Sequence, residues 1–316
     1  MSEKIKPLDN TGLKTTSLFT RKSLVDVADF GRAFAPGGGF SQFLESLPNI
    51  LAGRDLRLAA SAIARAKREG KTLIWAMGAH LIKVGLQPVL ARLLEEGVIS
   101  LLAVNGAAAI HDVEIALCGK TSEDVSENLK NRTYGMTGET ADFLSQVLAR
   151  CKTGGMGLGE AVGLAIREAG LPFAGHSLFA EAHRLGVPVT VHVALGTDVW
   201  HVHPGFDPGA AGEASHRDFL LFSGAVAGLS GGVHVNAGSA VIMPEVFLKA
   251  LALAGNLGHD MKDFTAINID FALQYRPQIN VVGRPVEKGG LGINLTGCHE
   301  VLVPLLAAAV LEELHS

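Results

Sequence analysis

Six mostly apolar runs constrain this chain more than any other feature: TLIWAM (72–77), VISLLAV (98–104), VPVTVHVAL (187–195), GVHVNA (232–237), FTAINID (264–270) and LGINLT (291–296). Most lack the period-two alternation of a half-exposed strand, which is the pattern of parallel strands covered on both faces. Helical segments separate them, at 88–96, 107–118, 139–150, 158–169, 175–185, 217–228, 243–256 and 298–314. One more precedes the first run at 54–70, where Leu56, Ala59, Ala60, Ile63 and Ala64 share a face and Gly70 stops the helix. Strand alternating with helix predicts an α/β fold, a doubly wound, mostly parallel Rossmann-like sheet of about six strands with helices on both faces. Residues 1–50 are mixed in pattern and broken by APGGGF (35–40), so they predict an N-terminal arm with short helices. Residues 51–316 read as a single domain, with no fixed-period repeat, low-complexity tract or linker.

The chain has 316 residues, 48% of them hydrophobic and only 18% charged. Its mean hydropathy of +0.30 predicts wide burial inside the fold or between subunits, hence a homo-oligomer. A formal charge of −4 gives no reason to expect nucleic acid or an anionic membrane as partner, which leaves a small-molecule substrate. Cys118, Cys151 and Cys298 are odd in number and share no CxxC spacing, so a cytoplasmic location fits better than a disulfide framework. The polar start MSEKIKPLDNTGLKTTSLFTRK has no apolar targeting core, and every later apolar run is interrupted before membrane-spanning length.

In an open parallel sheet, ligands bind beyond the carboxyl ends of the strands. The loops to read are therefore MGAHLIK (77–83), VNGAAAIHD (104–112), ALGTDVWHVHPG (194–205), VNAGSAV (235–241), NIDFALQYRP (268–277) and NLTGCHE (294–300). The glycines of KTGGMGLGEAVG (152–163) imitate a dinucleotide fingerprint, but they follow a helical segment and predict a helix-to-helix connection. NGAAAIHDVEIALCG (105–119) does follow a strand, and its small residues let backbone approach a phosphate or ribose. Taken singly, Asp112 could complement the dipole of that helix and His111 could lie on the surface.

The segment 192–218 holds four of the twelve histidines, yet His201-Val202-His203 is not the i,i+4 pair of a zinc helix, so no metal is expected. His192 lies inside a strand and reads as a core residue. Asp198, at a strand's carboxyl end, is placed to meet ribose hydroxyls or an amine. Cys298 reads as a small residue opening the last helix, not as a thiol nucleophile.

As a set, these loops make the chain from about residue 72 resemble deoxyhypusine synthase and its relatives. GAHLIKVG stands where that family has a short polar turn followed by Leu-Ile and a glycine. NGAAAIHD stands for its Thr-Ala-Gly-Gly turn, ALGTD for Ala-Leu-Thr-Asp, NAGSAV for its glycine-rich turn, INID for Ile-Asn-Thr-Ala, and LTGCHEVLVPLLAA for its last turn and helix. The resemblance implies NAD as cofactor and a homotetramer. It implies cofactor contacts at Ala79, His80, Asn105, Gly106, Asp198, Gly238, Ser239, Ile269, Asp270, Thr296 and Gly297. It places His111 at a family glutamate and Asp112 at a family aspartate.

The family forms an imine on a lysine in a Trp-Gly-Lys segment; here ALQYRPQINVVGRPV takes that place, and IMPE (242–245) replaces its paired histidines. Lys288 is the nearest lysine and reads as a solvated turn residue. The expectation is an NAD-dependent enzyme acting on an amine- or hydroxyl-bearing small molecule without making deoxyhypusine, with His111, Asp112 and His203 as catalytic candidates. The alternatives are an aminobutyl transferase using another lysine, a metal-dependent hydrolase built on the 192–216 histidines, and a non-catalytic nucleotide-binding protein.

Overall fold

The computed structural model describes residues 5–316. Six strands form one sheet: β1 (Leu73–Met77), β2 (Leu101–Asn105), β3 (Val189–His192), β4 (Val233–Ala237), β5 (Thr265–Asp270) and β6 (Leu291–Thr296). Their order is β3-β2-β1-β4-β5-β6 and every neighbouring pair is parallel, so the fold is Rossmann-like with a fully parallel sheet. Each predicted run overlaps one of these strands, β2 reaching one residue past its run to Asn105. One strand is much shorter than its run: VPVTVHVAL keeps only Val189–His192 in the sheet, and beyond it the Val193 N–H donates to the Ser215 hydroxyl at 2.9 Å.

The helices are α1 (Phe40–Ser46), α2 (Leu51–Arg68), α3 (His80–Lys83), α4 (Gln87–Glu95), α5 (Gly106–Cys118), α6 (Val125–Asn131), α7 (Gly138–Gly154), α8 (Leu158–Ala169), α9 (Leu178–Leu185), α10 (Pro208–Ala227), α11 (Ile242–Asn256), α12 (Tyr275–Asn280) and α13 (His299–His315). One sheet face, built on Trp75, Met77, Leu102, Val104 and Ile267, packs against α2, α5, α8, α9 and α13. The other, with Ile74, Ala76, Leu101 and Ala103, lies under Phe222 and Val226 of α10 and Phe247 and Ala250 of α11. The glycines of 152–163 join α7 to α8, and a Cβ on Gly159 would stand 2.0 Å from the Val189 carbonyl oxygen, so that glycine serves close helix–strand packing.

Helix α10 begins nine residues before the expected 217, because Asp207 caps it, accepting from the Ala210 N–H at 3.0 Å, and Pro208 fits the first turn. Residues 5–36 have nearly every side chain exposed, Ile5, Leu8, Phe19 and Phe30 included. No helix among the described residues is long and apolar enough to cross a membrane.

Candidate functional site

The strand order reverses between β1 and β4, and their two following loops touch. A Cβ on Gly78 would stand 2.2 Å from the Gly238 carbonyl oxygen, and Gly238 itself has φ +63°, a left-handed conformation that favours glycine. The next strand ends are knitted in the same way: the Gly238 N–H donates to the Ile269 carbonyl at 2.9 Å and the Gly297 N–H to the Asp270 carbonyl at 3.0 Å. Ala79 starts α3, Asn105 caps α5 by accepting from the Ala108 N–H at 3.3 Å, and Ser239 accepts from the Met243 N–H at 3.1 Å at the start of α11. Thr296 is exposed at the end of β6. The sequence-predicted cofactor positions therefore share one edge of the sheet.

Asp198 follows β3 and is buried against the start of α5, where a Cβ on Gly106 would meet its Oδ2 at 2.0 Å. Only glycine at 106 leaves room for the carboxylate, and the helix dipole favours a negative charge there. The Oδ2 atom has no hydrogen-bond partner within the protein. Burial pushes this carboxyl up to about 6, with the charge of His111 pulling the other way. Behind it lies His201, whose Nδ1 accepts from the backbone N–H groups of Gly196 (3.1 Å) and Asp198 (3.3 Å). The ring therefore carries its proton on Nε2, which stands 3.6 Å from Asp198 Oδ2.

Asp198 lines a cavity of about 150 Å³ together with Lys83, His111, Glu114, Glu123 and Tyr134. The Thr121 hydroxyl donates to Glu114 and stands 2.6 Å from His111 Nδ1. Since that hydroxyl proton is committed to the carboxylate, Nδ1 must carry the hydrogen and Nε2 is left as an acceptor. Burial works to raise the Glu114 carboxyl, yet hydrogen bonds from His111 and Thr121 hold it below the ordinary range. His111 thus has the oriented tautomer of a base.

Two other catalytic candidates are placed elsewhere. Asp112 is fully buried, one position round the helix from His111, and accepts from the Ser177 hydroxyl, the Leu178 N–H (2.8 Å) and the Phe179 N–H (3.4 Å). Its carboxylate fastens the start of α9 and is spent there, which corrects its assignment as a catalytic group. His203 Nε2 lies 3.1 Å from the Gly135 carbonyl, so it donates its proton there and pins that loop, and its side chain is not part of the wall of the cavity beside Asp198.

The histidines of the 192–216 segment each have surroundings of their own. His192 is buried against Phe222 and 3.1 Å from the Thr190 hydroxyl, His201 packs on Trp200 and Phe206, and His216 is exposed on α10. Among the described residues no three His, Cys, Asp or Glu side chains converge.

Arg276 pairs with Glu245 at 3.2 Å, tying α12 to α11. Lys288 is exposed just before β6 begins, at the amino edge of the sheet and therefore opposite the site. Sequence reasoning missed Lys83, which lines the cavity from the short α3, and His201, whose contact with Asp198 depends on a single 3-10 turn at Val199–Val202. It also missed His299, buried with Nε2 3.2 Å from the Ile269 carbonyl and its ring 5.3 Å from that of His80. The GCHE stretch drew attention to its cysteine, which is exposed and only caps α13.

No protein-family model and no curated protein matches the sequence. Solved structures do. A protein from Entamoeba histolytica assigned as a deoxyhypusine synthase superposes with a TM-score of 0.52 at 12% identity, over 89% of this chain and 96% of that one. A conserved protein from Methanococcus maripaludis S2, assigned to the LOR/SDH group, gives 0.51 at 16% identity, over 84% and 71%. AgrE, solved as a ternary complex with ornithine and NAD+, gives 0.50 at 14%, over 83% of this chain. The chain spans 33% of AgrE and 31% of ArgZ, an arginine dihydrolase from the ornithine-ammonia cycle in cyanobacteria. At these identities the likeness is one of fold.

Proposed function

We propose that this chain binds NAD along the carboxyl edge of its sheet and acts on a small molecule bearing an amine or a hydroxyl. The observation that carries the reading is the strand-order reversal between β1 and β4, the place in a doubly wound parallel sheet where the following loops diverge and a crevice for a ligand forms beyond the carboxyl ends of the strands. The residues fit a dinucleotide. Ala79, His80, Gly238, Ser239, Ile269, Asp270, Thr296 and Gly297 would hold it at the reversal, and the unpartnered Asp198 oxygen, with Asn105 and Gly106 beside it, would accept from ribose hydroxyls or from the substrate. AgrE, which shares the fold, was solved with NAD+ bound, and that agrees with the reading.

When bound, the nicotinamide accepts or returns a hydride. His111 Nε2 takes the proton released from the substrate's amine or hydroxyl, with Thr121 and Glu114 stabilising the imidazolium that forms. Asp198 orients the substrate. Deoxyhypusine formation is not expected, because the family's lysine segment is replaced and Lys288 lies at the other edge of the sheet. Titration with NAD and NADH by calorimetry tests the reading. Heat with the wild type and weaker binding by Asp198→Ala are expected; no heat and no thermal shift at millimolar NAD would overturn it.

We also propose a homo-oligomer, a tetramer by the resemblance. The exposed apolar residues of 5–36 and Leu220 and Leu221 on α10 support it. A monomeric mass in light scattering at micromolar concentration would refute it.

A further inference from the structure

We propose that the cavity beside Asp198 binds a small aliphatic amino acid, with the Asp198 carboxylate taking its ammonium group and Lys83 its carboxylate. The inference rests on the reading of this cavity as the substrate site and narrows it to one chemical class.

The walls hold three carboxylates and one lysine, but only two of these charges are uncommitted. Glu114 is engaged by Thr121 and His111. Glu123 accepts from the Asn128 side-chain amide at 2.7 Å and the Gly135 N–H at 2.9 Å. Asp198 Oδ2, nine-tenths buried, accepts no hydrogen bond and has only the neutral His201 ring at 3.6 Å beside it, and among the described residues no hydrogen bond or ion pair engages Lys83. Lys83 and Asp198 do not pair with each other, so the cavity presents one free charge of each sign.

That pattern selects a zwitterion. A diamine would bring a second cation to the lysine, and a dicarboxylate would bring an anion to a buried carboxylate. Phosphate is excluded from the start of α5 because Asp198 already occupies it. The volume of about 150 Å³ matches a cavity that takes a benzene-sized molecule of about six non-hydrogen atoms. Ala107, Ile110, Val125 and Val199 supply apolar wall for a short methylene chain between the charged ends.

The test uses the full chain at neutral pH and four probes: α-aminobutyrate, γ-aminobutyrate, the diamine putrescine and butyrate, each titrated by calorimetry and thermal shift. One of the amino acids should bind at least about tenfold more tightly than putrescine and butyrate. Lys83→Gln should weaken the amino acid about tenfold or more while leaving putrescine no weaker, and Asp198→Asn should weaken the amino acid and leave butyrate no weaker. Lys83 is exposed, so its substitution tests the cavity without endangering the fold. Putrescine binding as tightly as the amino acids, an unchanged affinity in Lys83→Gln, or no binding by any of the probes overturns the proposal. A parallel NAD titration of the wild type separates the two readings. Amino acid binding without NAD binding removes the cofactor and leaves this inference standing, and the reverse result removes only this inference.

Discussion

The two halves of the sheet's carboxyl edge use their polar residues in opposite ways. On the β4–β6 side, Asn236, Asn268 and Asn294 lie in register on adjacent strands, the Asn236 side-chain amide donating to Asn268 at 2.8 Å and the Asn268 amide to Asn294 at 3.1 Å. At the strand ends the Asp270 carboxylate accepts from the Phe271 N–H at 2.8 Å. On the β1–β3 side, the same row across the sheet is Ala76, Ala103 and Thr190, and the charged groups sit beyond it, Lys83 on α3, His111 and Glu114 on α5 and Asp198 after β3, with Asp198 Oδ2 accepting no hydrogen bond. One half carries a row of amides that bonds its strands side chain to side chain; the other has no such row, and its charged groups line the cavity beside Asp198. A buried polar group identifies a binding site only when its partners have been counted.

Four measurements can break or sharpen this contrast. The largest effect is expected from Asp112→Ala, which leaves the Ser177 hydroxyl and two backbone N–H groups buried without an acceptor. The loss should be about 4 kcal/mol by urea unfolding. A fully stable variant that no longer binds ligand would return Asp112 to the site.

Next, Asn268→Leu removes the middle of the amide row and should cost about 2–3 kcal/mol. A neutral result would mean that the row does not hold the β4–β6 half together.

The third effect has the opposite sign. Asp198 has its carboxyl raised from 3.8 to about 6, so the folded state holds its proton more tightly than the unfolded state does. Below about pH 4 the group is protonated in both states and contributes nothing. As pH rises through the window from 3.8 to 6, the wild type loses stability to the buried charge, and the full penalty is present at neutral pH. Asp198→Asn should therefore be more stable than the wild type by about 2 kcal/mol at pH 7.5 and equal to it near pH 4, while losing affinity for ligand. Equal stability of the two proteins at both pH values, followed by urea unfolding, would show that the carboxylate is not strained.

The smallest effect is expected from His216→Ala, on the exposed face of α10, at less than about 0.5 kcal/mol. EDTA should leave the wild-type melting temperature unchanged. A fall of several degrees would reveal an ion held by the 192–216 histidines.

The sequence disclosed the sheet because a strand covered on both faces must be apolar throughout, and that requirement is local. It disclosed the close contacts at the carboxyl edge for a related reason: glycines 78, 106 and 238 mark places where backbone approaches other groups closely. What it hid are side chains whose roles depend on distant partners. His111 and Asp112 are adjacent in sequence, but on a helix they point in different directions, and only the packing of α9 shows that one is a cap. Lys83 sits on a four-residue helix with no periodic signal. Helix α10 was hidden in PGAAGEASHRD, whose glycines and polar residues imitate a loop.

The amide row has a direction. Each NH2 group points toward β6, and the Oδ1 atom of Asn236 is left without a partner at the inner end. Turning the Asn268 amide alone would set NH2 against NH2 on one side and oxygen against oxygen on the other, so the three amides must turn together or stay as they are. Both ends hold that sense: at the centre of the sheet the Asn236 amide also donates to the Ser239 carbonyl at 3.0 Å, and Asn294, half-buried on the edge strand, accepts at the outer end. An aspartate at 294, which only accepts, would keep the row in its present sense; a lysine, which only donates, would set the outer end of the row against the inner one.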